Sequence, residues 1–305
     1  KSLFTIEQIR LYFVKFIFHF STFMRRLLSL FLALSAISCA SKMKLRGEAV
    51  QQFTPLHNND AVVVIEEYKK IPDSIPTKTI GEFHLKDGGL TVDCSYEHVL
   101  DLAKNEARKF GGNAIKITEH KLPNALSTCH QLKFKILKMD DIFPFQEMLI
   151  WSSEHSLDWK YFKGAPKIER PSFLCATLNV DYKNYKIGGK GSIEVLPIIV
   201  LNCSYIQPQY QNQHQLEYNQ LKFDLLELYA RKMRKAFNEA NIDSQMKWQK
   251  FAEKIDNDIF NDFETEIYYL ETETNFGLEY TETLRWKYRL KGDLAETSSF
   301  STDTI

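Results

Sequence analysis

The stretch LEYNQLKFDLLELYARKMRKAF, residues 216–237, constrains this chain more than any other segment. Leu226, Tyr229, Ala230, Met233, Ala236 and Phe237 recur at the three- and four-residue spacing of a helix that buries one stripe. A helix of that length spans about 33 Å, the width of a small domain. Asp224, Glu227, Arg231, Lys232, Arg234 and Lys235 fall off the stripe and are expected to face water or a cleft. Positions 218 and 222 are four residues apart, which puts Tyr218 and Lys222 on one face, one turn from each other.

A chain of 305 residues exceeds one ordinary domain, and two are expected. Its net charge is zero and no basic face stands out, which argues against a nucleic-acid partner. The sequence has no GxSxG elbow, no P-loop and no GxGxxG following a strand. The pairs Glu264/Glu266 and Glu271/Glu273 stand in a charge-rich segment and read as a solvated face.

The N-terminal region has the layout of an export signal. Met24-Arg25-Arg26 is a short positive region, and LLSLFLALSA (27–36) is an apolar run too short to span a bilayer. The small residues leading to Cys39 resemble a bacterial lipobox, which implies a signal peptide over 24–38 and a diacylated Cys39 as the first mature residue. Residues 1–23 then read as an upstream over-extension, and 39–59 as a linker. Two or more acyl chains anchor a protein stably to a membrane. Ala40 after the cysteine favours an outer-membrane lipoprotein facing the periplasm. Export also gives the other cysteines a role. Cys94, Cys129, Cys175 and Cys203 are an even set in an oxidising compartment, and their order suggests Cys94–Cys129 and Cys175–Cys203 among three possible pairings.

Residues 60–139 read as a small α/β sandwich in the order β-β-α-β-β. Strands are expected at AVVVI (61–65), IGEFHL (80–85), NAIKITEH (113–120) and LKFKIL (132–137). The helix between them opens on Ser95 as N-cap, carries Val99, Leu102, Ala103, Ala107 and Phe110 as its stripe, and stops at Gly111-Gly112. This order, the Gly-Gly-Asn-Ala turn and the two cysteines resemble RcsF-like and YbjQ-like envelope lipoprotein domains. His84, His98, His120 and His130 lie here without a spacing that demands a metal, and are expected to be exposed or hydrogen-bonded.

Residues 148–295 carry a second resemblance, on four segments in order. These are DWKYFKGAP (158–166), the strand region 176–206, the helix FDLLELYARKMRKAF (223–237), and ETNFG (273–277) with Trp286 nine residues beyond Gly277. Together they resemble an exported bacterial zincin-like metalloprotease family with HExxH and ETxHG motifs. The likeness implies an α+β fold around one long central helix. Residues 296–305 read as a flexible tail.

The resemblance implies a metal site that this chain has lost. The two zinc-binding histidines fall on Tyr218 and Lys222, the general-base glutamate on Asn219, and the third ligand on Phe276. Zinc takes imidazole, thiolate or carboxylate donors, and none of these four supplies one. No histidine occurs after His214, so a shifted motif is not available. The expectation is a cell-envelope lipoprotein without cofactor or metal, whose second domain is a pseudo-metalloprotease that binds or regulates an envelope protein or peptide. Two alternatives stand beside it. One is a hydrolase with a rearranged site built from Glu217, Glu227 or Glu273; the other is an RcsF-like stress or redox sensor working through Cys94–Cys129.

Overall fold

The computed structural model describes residues 42–58, 60–89, 91, 94–125, 127–183, 192–240, 242 and 245–304. Residues 24–38, expected as a signal peptide, and Cys39 lie outside the described residues. The fold is α+β and contains a long central helix.

The first part is one five-stranded sheet with a helix on it. Its strands are β1 (Lys44–Ala49), β2 (Val63–Ile65), β3 (Thr77–Lys86), β4 (Ala114–Lys121) and β5 (Gln131–Met139), and its helix is α1 (Tyr96–Lys109). The strand order is β1-β3-β5-β4-β2, antiparallel throughout except for the parallel pair β2–β4. Helix α1 starts where the Ser95 hydroxyl accepts the His98 N–H and ends at Gly111 with φ +74°. Its Val99, Ala103 and Ala107 pack on Ile80, Phe83, Ile115, Ile117, Leu132, Phe134 and Ile136 of the sheet. The far end of β5 is covered on its other face too, with Leu137 and Met139 against Val63 and Ile65.

The segment expected as a linker over 39–59 contributes to this unit instead. Lys44–Ala49 pairs along β3, while the Phe53 and Leu56 N–H groups donate to the carbonyls of Phe110 and Arg108 at the end of α1. An edge strand held by backbone bonds needs no apolar alternation, so KLRGEA gave no strand signal. Gly47 and Gly81 allow the close approach of β1 and β3, since a Cβ on either would lie 2.3 or 2.4 Å from a carbonyl oxygen of the other strand.

The second part begins with β6 (Met148–Ile150), β8 (Ala176–Lys183) and β9 (Ser192–Val200), an antiparallel sheet in the order β6-β9-β8. A two-stranded ribbon pairs β7 (Ser172–Phe173) with β10 (Tyr205–Ile206). Three helices follow: α2 (Gln213–Glu239), α3 (Gln245–Glu273) and α4 (Tyr280–Glu296). The disulfides Cys94–Cys129 and Cys175–Cys203 are formed as the cysteine order suggested, one in each part. Hydrophobic clusters of the first part use residues 43–145 and those of the second use 143–294, and no residue belongs to both. Among the described residues, no helix is long and apolar enough to cross a membrane.

Helix α2 differs from the one-stripe expectation because it is covered on several sides. Phe223 and Leu226 face the sheet with Trp151, Ile199 and Leu201. Leu221, Leu225 and Leu228 face α3 and α4 with Leu270, Trp286 and Leu290, while Ala230, Met233 and Phe237 pack on Val195, Trp248 and Ala252. Glu227 and Arg231, expected to face water or a cleft, are therefore buried, at 0% and 5% exposure. Their charges are satisfied internally. Arg231 Nε donates to Glu227 Oε1 at 2.7 Å, and Arg234 Nη2 lies 3.5 Å from Glu227 Oε2.

The remaining partners come from the segment expected as a flexible tail over 296–305. It forms short turns at Ser298–Phe300 and Thr302–Thr304 and docks on α2. The Thr302 N–H and hydroxyl donate to Glu227 at 2.9 and 2.5 Å, Arg231 donates to Ser301 Oγ, and Arg234 donates to Phe300 O. A buried carboxylate needs donors, and this polar segment supplies them.

Candidate functional site

Tyr218, Asn219, Lys222 and Phe276 are brought together by the packing of α2 against the turn that joins α3 to α4. That turn is unusual in its backbone. Asn275, Phe276 and Gly277 have φ of 45°, 55° and 80°, three successive residues in the left-handed region. Such a conformation strains any residue with a side chain, and Phe more than Asn. It is held by Phe276 N–H to Glu271 O at 2.8 Å, Glu279 N–H to Thr274 O at 2.8 Å, and Gly277 N–H to the Thr274 hydroxyl. Gly277 is required by contact as well as by φ, because a Cβ there would stand 2.4 Å from Cγ of Tyr218. The turn is thus pressed against α2 at Tyr218.

The polar contacts run outward from that point. Gln215 Nε2 donates to the Phe276 carbonyl at 3.0 Å and to Ser172 Oγ at 2.8 Å. Asn219 Nδ2 donates to the same Ser172 Oγ at 2.9 Å and to Gln215 O at 2.7 Å. Asn219 Oδ1 and the Tyr218 hydroxyl are buried without a hydrogen-bond partner among the described residues. Lys222 Nζ donates to Glu271 Oε1 at 2.5 Å, and Arg170 Nη1 donates to Glu271 Oε2 at 3.0 Å. The same two cations lie over aromatic rings, Lys222 Nζ 5.7 Å from the Tyr218 centroid and Arg170 Cζ 5.0 Å from that of Phe276. One carboxylate is therefore shared between two cations, each against one of the two aromatic residues.

Burial sets the electrostatics. Burial pushes the Lys222 ammonium below the usual lysine range, Glu271 opposes that shift, and Arg170 adds to it. Burial likewise pushes the Tyr218 phenol up, so it stays protonated. Two residues further along α2, Asp224 accepts the Trp151 and Gln220 N–H groups at 2.8 Å each. Burial raises its pKa, and those hydrogen bonds offset part of the rise.

The zinc ion implied by the sequence resemblance does not fit these residues. Phe276 has no donor atom, and Lys222 presents a positive charge held against Glu271 instead of a neutral donor. Asn219 cannot accept a proton from water as a carboxylate does. The alternative carboxylates do not assemble either. Glu217 faces Lys287, Glu273 accepts the Trp286 indole N–H at 2.8 Å, and Glu227 belongs to the buried network with Thr302. Among the described residues no group of three or more His, Cys, Asp or Glu side chains could hold a metal.

Glu271, Arg170, Ser172 and Gln215 were missed in the sequence. Glu271 sits in a run of acids that reads as a solvated face, and Arg170 and Ser172 flank Pro171 in a loop without periodicity. Only the spacing of Gln215, three and seven residues before Tyr218 and Lys222, hinted at a shared helix face. In the first part, His120 Nε2 and His130 Nδ1 are 2.9 Å apart and His120 stacks on Tyr96, so these two histidines are hydrogen-bonded as expected. Comparison of the chain with protein-family models, with curated proteins and with solved structures finds no match.

Proposed function

We propose that this protein is a lipid-anchored cell-envelope protein whose second domain keeps the frame of a zincin-like metalloprotease site and uses it for binding or regulation, without hydrolysis. The observation that carries the reading is the convergence of positions 218, 219, 222 and 276. Three of them lie on α2 and the fourth on the turn beyond α3, yet they meet at one place through Gln215, Gly277 and Glu271. The strained Asn275-Phe276-Gly277 turn supports it, because backbone strain persists where surrounding structure over-determines it, and such places cluster at ligand sites. The Lys222–Glu271–Arg170 cluster then supplies internally the positive charge that a metal would bring.

The test is a quadruple substitution, Tyr218→His, Asn219→Glu, Lys222→His and Phe276→His, in the purified chain. The reading expects the variant to bind one zinc ion per chain while the parent binds none at equal metal concentration. A folded variant that takes up no zinc would sink the proposed frame. The attachment to a membrane rests on Cys39 and is tested separately, by metabolic labelling with an alkynyl fatty acid. Loss of label in Cys39→Ala is expected, and an unlabelled parent would contradict the anchor.

A further inference from the structure

The chain carries no net charge, yet strand pairing in the first part gathers cations on one side of the five-stranded sheet. Phe83, Leu85, Leu132, Phe134, Ile115 and Ile117 pack toward α1, so the residues alternating with them point away from it. Across that outer face, Arg46, His84, Lys133 and Glu119 stand side by side on β1, β3, β5 and β4. The next row toward the start of β1 sets Lys44 opposite Lys86 and Lys121 opposite Gln131. The row on the other side holds Glu48, Glu82, Lys135 and Lys116, and its charges balance. No basic run marks this face in the sequence, because its cations are spread over four strands.

The excess charge sits at the end where β1 begins. Lys121 and Lys133 both pair with Glu119, which can neutralise only one of them. Lys44, Arg46 and Lys86 have no ion-pair partner among the described residues. Asp87, at the rim, is held by the Gly89 N–H and by the Thr91 and Ser127 hydroxyls. Lys44, Arg46, Lys86, Lys121 and Lys133 thus stand against two carboxylates, Glu119 and Asp87. Burial, and then Lys86, Lys133 and Lys121, hold the His84 imidazole below the usual histidine range, so lysine and arginine carry the charge of the face. Leu122, next after Lys121, is 65% exposed at the same end of the sheet.

We propose that this face docks on the anionic phospholipid headgroups of the membrane that carries the anchor. The inference rests on the lipid-anchored reading through the position of Cys39, and is independent of the zincin-like one. The segment expected as a linker is strand β1 from Lys44 onward, so four residues, 40–43, separate Cys39 from the basic end of the sheet. Five extended residue steps span at most about 18 Å, which keeps Lys44 close to a bilayer that holds an acylated Cys39. Each cation near an anionic leaflet strengthens attachment by about fivefold. An exposed leucine at the rim can enter the headgroup boundary beside them. Helix α1, on the opposite side of the sheet, then faces away from the bilayer.

The test is flotation of the full chain with vesicles of phosphatidylcholine, or of phosphatidylcholine and phosphatidylglycerol in equal parts, in about 150 mM salt, where only close charge contacts persist. The readout is the ratio of the two affinities, because an acyl chain or an apolar leader enters both kinds of vesicle. The parent should prefer the phosphatidylglycerol vesicles. The triple variant Lys44→Gln/Lys86→Gln/Lys121→Gln should lower that preference about 20-fold to 100-fold. Lys250→Gln/Lys254→Gln/Lys291→Gln, which removes the same charge from exposed positions of the second part, should keep it. The face variant alters side-chain tips outside the backbone ladder, so its circular dichroism should match that of the parent. The proposal is overturned if the parent binds both vesicles equally, if the face variant keeps the preference, or if the second-part variant loses as much. Tighter binding of a single-stranded oligonucleotide than of the phosphatidylglycerol vesicles, lost in the face variant, would overturn it in favour of nucleic acid. Fatty-acid labelling of Cys39 without a lipid preference leaves the anchor and overturns the face; a preference without labelling supports the face and contradicts the anchor.

Discussion

Removing Glu271 should cost far more stability than removing Lys222, although the two form one ion pair. The Lys222 and Glu271 side chains are 8% and 16% exposed, while Arg170, the other partner of Glu271, is 40% exposed. Glu271→Gln leaves a buried ammonium with a neutral acceptor and Arg170 as a nearby like charge. Stranding one buried charge costs roughly 3–5 kcal/mol, and the retained amide oxygen places the expected loss near the lower end, about 3 kcal/mol. Lys222→Met removes the buried charge, fills its volume, and leaves Glu271 paired with Arg170. Replacing a buried ionic group by an apolar one of similar size is often neutral, so a loss below about 1 kcal/mol is expected. The double variant should resemble Lys222→Met alone rather than the sum of the two. All four tryptophans, at 151, 159, 248 and 286, lie in the second part, so urea unfolding followed by their fluorescence reads this region directly. The pH dependence gives a second check. Burial holds the Lys222 pKa below its unfolded value, so the unfolded chain binds more protons between the two and stability rises with pH in that window. Without Glu271, which opposes the shift, the window widens, and the rise in stability across it should be larger in Glu271→Gln than in the parent. Equal losses for the two single variants, or a double variant that is additive, would mean that loss of Glu271 does not strand a buried charge on Lys222.

Other outcomes follow from the same structure. Truncation after Thr297 strips Glu227 of the Thr302 donors and Arg231 of Ser301, and should destabilise the second part by about 2–4 kcal/mol in the same unfolding assay. Asp224 has a raised folded pKa, so stability falls as pH rises from its unfolded value near 4 through the folded one. Asp224→Asn should therefore leave stability at neutral pH unchanged or higher and flatten that acid-side dependence in a thermal melt series, with the new amide oxygen still accepting the Trp151 N–H. Replacing Cys94 and Cys129 together by alanine should cost about 3–4 kcal/mol from the freed loop of 35 residues, and denaturant unfolding measures it. Gly277→Ala should be among the worst single changes in the turn, with loss of secondary structure by circular dichroism, because its Cβ would collide with Tyr218.

Local signals in the sequence located what local physics determines. Ser95 and Gly111 bound α1, the alternation of Leu132, Phe134 and Ile136 places β5, and apolar spacing marks the centre of α2. What was hidden depends on partners distant in sequence. Glu227 reads as a solvent-facing acid until Arg231 and Thr302, the latter 75 residues away, enclose it. The polar segment that carries Thr302 has no apolar periodicity and reads as a tail. Strand β1 is polar and exposed, and only its pairing with β3 across Gly47 and Gly81 makes it a strand. At the candidate site, spacing on α2 put Tyr218 and Lys222 on one face, but nothing in the sequence showed that Glu271 would lie between Lys222 and Arg170. The acidic face of α3 was legible as charge, but that Tyr229 of α2 and Trp286 of α4 would lie beside it was not.

The zinc content of the purified parent chain after equilibration with equimolar zinc, measured by mass spectrometry together with a peptidase assay, decides whether the second domain is a metalloprotease. No stoichiometric zinc and no zinc-dependent cleavage are expected, because Lys222 and Glu271 already neutralise each other at the proposed frame. One zinc per chain, with peptide cleavage that a chelator abolishes, would contradict it.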